Sequence, residues 1–172
     1  RFDRLDEEIE HILFLLDQSL GQNQDSIPWY RESLEKMLQP FVDFADPELI
    51  LFIEHKEKVI GWFPGLPNMN EVLIHANGLR YPWDYIKVFT KRKLRPKCLT
   101  VKSVLLLPEY QKTGAGPLLF WELYKRAKER DYSWIDLSLT SVDNPDTPKL
   151  AERFGAKIYK RYQVYKKNVK RK

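Results

Sequence analysis

A short loop of small residues is the stretch of this chain that is best suited to hold a phosphate group. Gly114 and Gly116 within it lack a Cβ, so the backbone can lie directly against a ligand. The N–H groups of the helical turn that follows have no partner inside a helix, and the helix dipole adds partial positive charge there. An ordinary strand-to-helix turn has a similar composition, so the loop alone favours a phosphate site only slightly. The loop comprises Gln111, Lys112, Thr113, Gly114, Ala115 and Gly116.

The segments on either side of the loop predict a strand before it and a helix after it. Residues 101–107 are almost continuously apolar, as expected of a strand that is covered on both faces, and Pro108 ends the run. Pro117 suits a first helical turn, and apolar residues then recur at helical spacing. The loop is not a P-loop, because no Lys-Ser or Lys-Thr follows its second glycine, and a GxGxxG pattern is absent.

The spacing of these residues resembles the acyl-CoA signature of the GNAT superfamily of acetyltransferases. That signature is a hydrophobic strand, a Pro, and then Arg or Gln-x-x-Gly-x-Gly or Ala. The chain matches it at Leu106, Pro108, Gln111, Gly114 and Gly116. The resemblance implies an α/β fold of GNAT type, with a mixed central sheet flanked by helices and a single domain over residues 1–172.

A second motif and the overall pattern extend this resemblance. The superfamily often has an Asn followed eleven residues later by a Gly, as Asn144 and Gly155 are here. The chain most resembles a group of longer bacterial proteins in which such a domain forms the C-terminal half. It begins with Arg1 rather than Met. We therefore expect a fragment of a longer polypeptide with an N-terminal partner domain.

The resemblance also implies a cofactor, acetyl-CoA or another acyl-CoA, and its binding residues. The backbone of residues 111–116 would hold the pyrophosphate, and the backbone of the strand before it would pair with the pantetheine arm. Asn144 is expected near that arm, although an Asx turn before Pro145 explains it equally well. The residues predicted to bind the cofactor are Val104, Leu105, Leu106, Gln111, Lys112, Thr113, Gly114, Ala115, Gly116 and Asn144.

Acid–base catalysis is less clearly encoded than cofactor binding. Acetyl transfer to an amine needs a well-placed neutral amine and benefits from a proton donor to the departing thiolate. GNAT enzymes commonly use a Tyr four residues before the glycine of the second motif, and this chain has Ala151 there. Tyr159 and Tyr162 are alternative donors and Glu54 is a candidate base. Packing tyrosines and surface carboxylates are the ordinary explanations of such residues.

Two functions therefore remain open. The first is an acyl-CoA-dependent N-acyltransferase that transfers acetyl directly to an amine in a ternary complex. The second is a catalytically degenerate module that binds CoA, or only keeps the fold, and serves a partner domain. Ala151 favours the second and the loop favours at least cofactor binding. Nucleic-acid binding rests only on the basic tail, residues 167–172, and is disfavoured.

The remaining elements follow from periodicity. We predict helices over residues 6–20 and 28–41, a hairpin of strands 48–54 and 58–63, a strand at 133–140, a short helix at 148–154 and a final strand at 156–166. Residues 64–96 are too long for a structureless connection and predict a helical insertion, either an acceptor-site lid or scaffolding.

Composition excludes several classes of protein. No apolar run approaches the ~20 residues of a membrane-spanning helix, so we predict no membrane partner. His11, His55 and His75 have no metal-ligand spacing, so we predict no metal site. Cys98 is the only cysteine, which rules out an intrachain disulfide and favours a cytoplasmic location.

Overall fold

The computed structural model describes residues 4–20, 28–91 and 96–167. These residues divide between two compact units, one ending at Ser138 and the other beginning at Leu139. The helices are α1 (Leu5–Leu20), α2 (Arg31–Val42), α3 (Asn70–Leu73), α4 (Pro82–Lys91), α5 (Ala115–Glu129) and α6 (Asp146–Arg153). The strands are β1 (Ile50–His55), β2 (Lys58–Pro67), β3 (Cys98–Val101), β4 (Leu105–Leu106) and β5 (Trp134–Asp136).

A mixed sheet forms the centre of the first unit. Its strand order is β1-β2-β3-β5, and β4 also pairs with β2. The pairs of β2 with β1, β3 and β4 are antiparallel, whereas β3 and β5 are parallel. The predicted hairpin is confirmed by the antiparallel pairing of β1 with β2, and Lys56 and Glu57 in its turn both have a positive φ, as a tight hairpin turn requires. Its second strand runs to Pro67, so the insertion starts at Asn68 rather than at residue 64.

Helices cover both faces of this sheet. On one face α1 and α2 contribute Ile9, Leu15 and Leu34 to a buried cluster that also contains Val59, Trp62, Leu105 and Leu107. On the other face Leu119, Leu123 and Ala127 of α5 pack with Phe63, Leu99 and Val101. Burying both faces accounts for the nearly continuous apolar sequence of β2 and β3.

The prediction of one continuous strand over residues 101–107 is wrong. Ser103 has φ of 51°, which turns the chain and separates β3 from β4. Both pieces nevertheless follow the same edge of β2: the N–H of Lys102 donates to the carbonyl of Pro64 at 3.3 Å, and that of Leu107 donates to Ile60 at 2.9 Å. The interruption acts as a bulge, which bends one strand while its partner stays continuous.

The break changes what lies beside each half of the interrupted strand. The register of β5 against β3 runs from Cys98–Trp134 to Thr100–Asp136 and stops there. In the described part of the chain, β5 has no pairing with β4. The predicted strand 133–140 is therefore shorter than expected, because it loses its neighbour after Asp136 and Ser138 takes a positive φ of 60°.

The second unit contains α6, which confirms the predicted short helix. The predicted final strand at 156–166 is wrong, because the described residues after Gly155 form neither helix nor strand. Ile158, Tyr162 and Val164, which would share one face of that strand, are all exposed. Alternating apolar residues supply one face of a strand but not the neighbour with which it must pair. Most of the predicted basic tail, residues 168–172, lies outside the described residues.

Candidate functional site

The loop between β4 and α5 is shaped by its own backbone. After Leu107, residues Pro108–Tyr110 form a short 3-10 turn, and α5 begins at Ala115. The carbonyl of Tyr110 accepts hydrogen bonds from the N–H of Thr113 at 3.2 Å and from Thr113 Oγ1 at 2.8 Å. The N–H of Gln111 donates to the carbonyl of Pro108 at 3.3 Å. Two of the amides that the sequence offered to a phosphate, those of Gln111 and Thr113, are therefore used inside the loop.

The amides at the start of α5 remain available. Gly114 is the N-cap, with φ of 92° and no side-chain cap, and a Cβ built on it meets no atom within 4 Å. Among the residues described, no partner is found for the N–H groups of Lys112, Gly114, Ala115 or Gly116. Three consecutive free amides at the positive end of a 15-residue helix can hold an anion. The candidate phosphate seat is thus smaller than predicted and centred on residues 114–116.

The edge of β4 opposite β2 forms the second part of the site. The N–H of Leu107 points to β2, so by strand alternation the backbone groups of Val104 and Leu106 point away from it. Because β5 does not extend alongside β4, this edge can accept an extended polar chain as a further strand would be accepted. The side chain of Leu105 is buried in the core and that of Val104 is exposed.

Ser19, near the end of α1, lies at this edge and was missed by the sequence analysis. Its Oγ donates to the carbonyl of Leu106 at 3.5 Å. The two residues are 87 positions apart, so only the fold brings them together. The hydroxyl therefore occupies the carbonyl of Leu106, and the N–H of Leu106 remains directed away from β2 at the unpaired edge.

His55 contacts the same loop from the hairpin. Its Nδ1 lies 3.1 Å from the hydroxyl of Tyr110, and the two rings meet edge to face with centroids 5.6 Å apart. No contact between His55 and Tyr110 was predicted from the sequence, in which His55 is one of three histidines without metal-ligand spacing. No local pattern could have found the pair, because the partners belong to different elements.

The predicted catalytic residues belong to different parts of the chain. Glu54 is exposed on β1, where the register with β2 shifts between Ile53 and Glu54. Tyr159 and Tyr162 belong to the second unit and are exposed by 58% and 67%, so neither is a packed strand tyrosine. Their roles as proton donor or base stay predictions.

Asn144 makes a local hydrogen bond, as its alternative explanation, a turn-forming residue before Pro145, would require. Its Oδ1 accepts the N–H of Thr147, in the first turn of α6, at 3.4 Å. Gly155 ends the same helix with φ of 82°, and the N–H of Ala156 returns to the carbonyl of Ala151. Asn144 and Gly155 thus lie just outside the two ends of α6, and a contact of Asn144 with the cofactor stays a prediction.

Two other chemistries have no support in the structure. Cys98 is completely buried, and burial raises the pKa of its thiol, which opposes a role as a nucleophile. Within residues 4–20, 28–91 and 96–167, no group of three His, Cys, Asp or Glu side chains is placed to hold a metal ion.

Comparison with known proteins gives one family and several similar chains. The sequence model of the acetyltransferase (GNAT) family matches residues 10–156. Protein YghO of Escherichia coli strain K12 is 23% identical over 171 residues, which is 96% of this chain. A protein named bacterial ceramide synthase, from Caulobacter vibrioides, is 22% identical over 169 residues, or 95% of this chain. The chain spans 44% of the length of each of these curated relatives.

Solved structures share the fold. The aminoglycoside N-acetyltransferase AAC(6')-Iy in complex with CoA has a TM-score of 0.61 at 14% identity, over 95% of this chain and 91% of that one. The ribosomal-protein-S18-alanine N-acetyltransferase of Escherichia coli has a TM-score of 0.53 at 12% identity, over 87% and 71%. The predicted fold, a mixed sheet flanked by helices, is confirmed. In the described part of the chain, no helix is long and apolar enough to span a bilayer.

Proposed function

Because the chain belongs to the GNAT acetyltransferase family, we propose that it transfers an acyl group from acyl-CoA to an amine. The observation that carries this proposal is the trio of unpartnered amides at Gly114, Ala115 and Gly116, next to the unpaired edge of β4. A diphosphate fits the first feature because it needs several N–H donors and partial positive charge. An amide-containing arm fits the unpaired edge of β4, because its amides can form the hydrogen bonds that a neighbouring strand would form.

Acyl-CoA is the cofactor, and the residues present suit it. The amides of residues 114–116 would hold the pyrophosphate, and nothing near Gly114 would obstruct it. The outward backbone of Val104 and the N–H of Leu106 would pair with the pantetheine arm, since the carbonyl of Leu106 accepts from Ser19. Bound in this way, acyl-CoA supplies a thioester carbonyl that an amine can attack.

The chain's own contribution to chemistry is mainly positioning. The new C–N bond forms as the C–S bond breaks, the amine loses a proton and the thiolate gains one. Ala151 cannot give that proton. We assign the donor to Tyr159 or Tyr162 and the base to Glu54, and each requires a test of its own.

The names of the relatives suggest acceptor classes for that test. Aminoglycosides and an alanine of a ribosomal protein are the acceptors named for two structural neighbours. The name ceramide synthase adds a third class, because a ceramide is an amide of a long-chain amine. Acceptor panels for this protein therefore include short amines, peptide N-termini and long-chain amines, each with acetyl-CoA and with a long-chain acyl-CoA.

A CoA-binding module without activity is the second candidate, and Ala151 at the family's tyrosine position favours it. Such a module would serve a partner domain in a longer polypeptide. That arrangement, like the place of this chain in the C-terminal half of its relatives and its cytoplasmic location, stays a prediction.

Titration calorimetry with acetyl-CoA tests the proposed cofactor site. The variant Gly114→Trp places a large side chain over the amides and should abolish binding. Gly78→Trp is the matched control, because Gly78 also has a positive φ and open space around its Cβ position. If both variants bind acetyl-CoA as tightly as the unmodified protein does, the cofactor does not bind at residues 114–116. Release of CoA thiol with the acceptor panel then separates an enzyme from a binding module.

A further inference from the structure

The insertion between β2 and β3 exposes an unusual set of apolar side chains. Half of the residues from 73 to 86 are large apolar or aromatic residues with at least about a third of their surface exposed, and Ile74 and Ile86 reach 78% and 66%. The insertion buries Val72 and Ala76, so its outward residues are not simply its unpacked core. The exposed set is Leu73, Ile74, Leu79, Tyr81, Trp83, Tyr85 and Ile86, called here the insertion face.

The insertion face is rich in amphipathic aromatic residues. Trp83 and Ile86 are three residues apart on α4 and therefore lie on one side of the helix. The ring of Tyr81 stacks on Trp83 with centroids 4.8 Å apart and planes at 12°. Tyr and Trp are the residues that concentrate at the boundary between lipid headgroups and acyl chains, where one part of the ring is apolar and the other hydrated.

The charges of the insertion leave a positive outer surface. Its two carboxylates are engaged: Glu71 accepts the N–H groups of Lys97 and Cys98 at 2.8 and 3.0 Å, and Asp84 is fully buried and accepts the N–H of Tyr81 at 3.1 Å. Arg80 lies over the ring of Tyr81 at 5.7 Å, and Lys87, whose Nζ is 3.7 Å from Asp84 Oδ1, keeps 58% of its side chain exposed. A face that combines apolar side chains with outward basic groups complements an anionic bilayer surface.

We propose that the insertion face docks on the surface of an anionic phospholipid bilayer. The helix α4 would lie in the interface with Trp83 and Ile86 directed into the lipid, and no segment would cross it. The prediction of no membrane partner rested on the lack of an apolar run long enough to span a bilayer, which does not bear on a helix that lies in the interface. An interfacial helix needs only one apolar side, and that side becomes visible once the structure gives its exposure.

The position of the insertion gives this docking a consequence for the reaction. The insertion joins the end of β2 to the start of β3, whereas the phosphate loop follows β4 at the other end of the interrupted strand. If the proposed function holds, an arm running from the loop along β4 points its reactive end toward the insertion. An amine carried by a lipid would then approach from the membrane side.

Sedimentation of the protein with vesicles tests the docking independently of catalysis. The protein should bind vesicles of mixed phosphatidylcholine and phosphatidylglycerol, bind phosphatidylcholine alone more weakly, and lose binding as salt screens the charges. The double variant Trp83→Glu, Ile86→Glu should bind the mixed vesicles at least roughly tenfold more weakly, since both side chains leave the lipid. Thiol release with a soluble amine measures the proposed function separately.

The matched control is Trp121→Glu, Tyr124→Glu on α5. These two aromatic residues are also three apart and about half exposed, so the control adds the same charge outside the insertion. It should bind vesicles as the unmodified protein does. If the first double variant is misfolded by circular dichroism, Arg80→Glu replaces it and should also weaken binding.

Three results would overturn the proposal. They are a failure of the unmodified protein to bind the mixed vesicles, equal binding by the insertion-face variant, and equal loss in both double variants. A dimer in sedimentation velocity that dissociates only in the insertion-face variant would assign the face to a second copy of the chain instead.

Discussion

His55 Nδ1 lies 3.1 Å from the hydroxyl of Tyr110, and this contact fastens the end of the β1 strand to the loop that precedes α5. The backbone carbonyl of the same Tyr110 accepts both hydrogen bonds from Thr113, immediately before Gly114. The hairpin therefore helps to hold the turn that leads into the free amides. We regard both residues as positioning residues for cofactor binding.

Removing the Tyr110 hydroxyl should loosen this turn. We expect Tyr110→Phe and His55→Ala each to weaken acetyl-CoA binding by about fivefold, because one hydrogen bond contributes about 1 kcal/mol. His75→Ala, at an exposed position in the insertion, serves as the control and should leave affinity unchanged. Calorimetry measures the three affinities.

The double variant Tyr110→Phe, His55→Ala shows whether the two residues affect binding through their contact with each other or independently. If the residues act through one another, the losses are not additive and the double variant resembles either single variant. Fully additive losses, or no loss in Tyr110→Phe, would contradict the positioning role.

Glu71 should stabilise the junction between the insertion and the sheet. Its carboxylate accepts the N–H groups of Lys97 and Cys98, which lead into β3. We expect Glu71→Ala to lower the free energy of unfolding by about 2–3 kcal/mol, because it leaves two backbone donors without their charged acceptor. Glu71→Gln keeps one carbonyl oxygen as an acceptor and should lose less.

Urea unfolding followed by tryptophan fluorescence measures these losses. Glu32→Ala is the control, since Glu32 makes only an exposed pair with Lys36 one helical turn away and should cost no more than about 0.5 kcal/mol. Equal stability of Glu71→Ala and Glu32→Ala would show that the junction does not depend on Glu71.

The local parts of the fold and of the site could be predicted from the sequence. The turn at Lys56 and Glu57 and the glycine loop before α5 depend on residues that are neighbours in the chain, so their patterns predict them. The break at Ser103 could not be predicted, because a serine adopts positive φ only when surrounding structure compensates for its strain. The contacts of Ser19 with Leu106 and of His55 with Tyr110 join distant segments, and no periodicity reveals them.

The described residues after Gly155 show that a local pattern can also predict a strand that the structure does not contain. Ile158, Tyr162 and Val164 alternate as in a strand, and the prediction of a strand followed from that alternation. A strand also needs a partner whose backbone pairs with it, and a single sequence does not specify that partner. The alternating pattern therefore indicates that the backbone favours an extended conformation, but it does not show that these residues join the sheet.

Arg130 at the end of α5 should stabilise the approach to β1. Its guanidinium bonds Asp46 Oδ2 at 2.6 Å and also binds the carboxylate of Glu48, on either side of Pro47. These carboxylates raise the pKa of Arg130, consistent with a paired cation. We expect Arg130→Ala to lower the free energy of unfolding by about 1–2 kcal/mol, with the solvent exposure of Glu48 limiting the loss.

The variant Arg130→Lys tests whether the stability depends on one side chain binding both carboxylates. A lysine keeps the charge but cannot make both bonds with a planar fork, so it should recover only part of the stability. Full recovery would show that charge alone accounts for the effect, and no loss in Arg130→Ala would show that the pairs contribute nothing. Urea unfolding at low and high salt measures both variants.

Cys98 should make the stability of the protein fall at alkaline pH. Burial raises the pKa of its thiol in the folded state, so the folded protein retains the proton that the unfolded chain loses. This contribution to stability is complete below about pH 8.5, where an exposed thiol begins to ionise, and is lost as pH rises toward the folded-state pKa. Cys98→Ala lacks the titrating group and should be less stable at neutral pH because of the cavity it leaves. Its deficit relative to the unmodified protein should shrink between pH 7 and pH 9.5 in urea unfolding, and a constant deficit would show that Cys98 does not titrate differently in the two states.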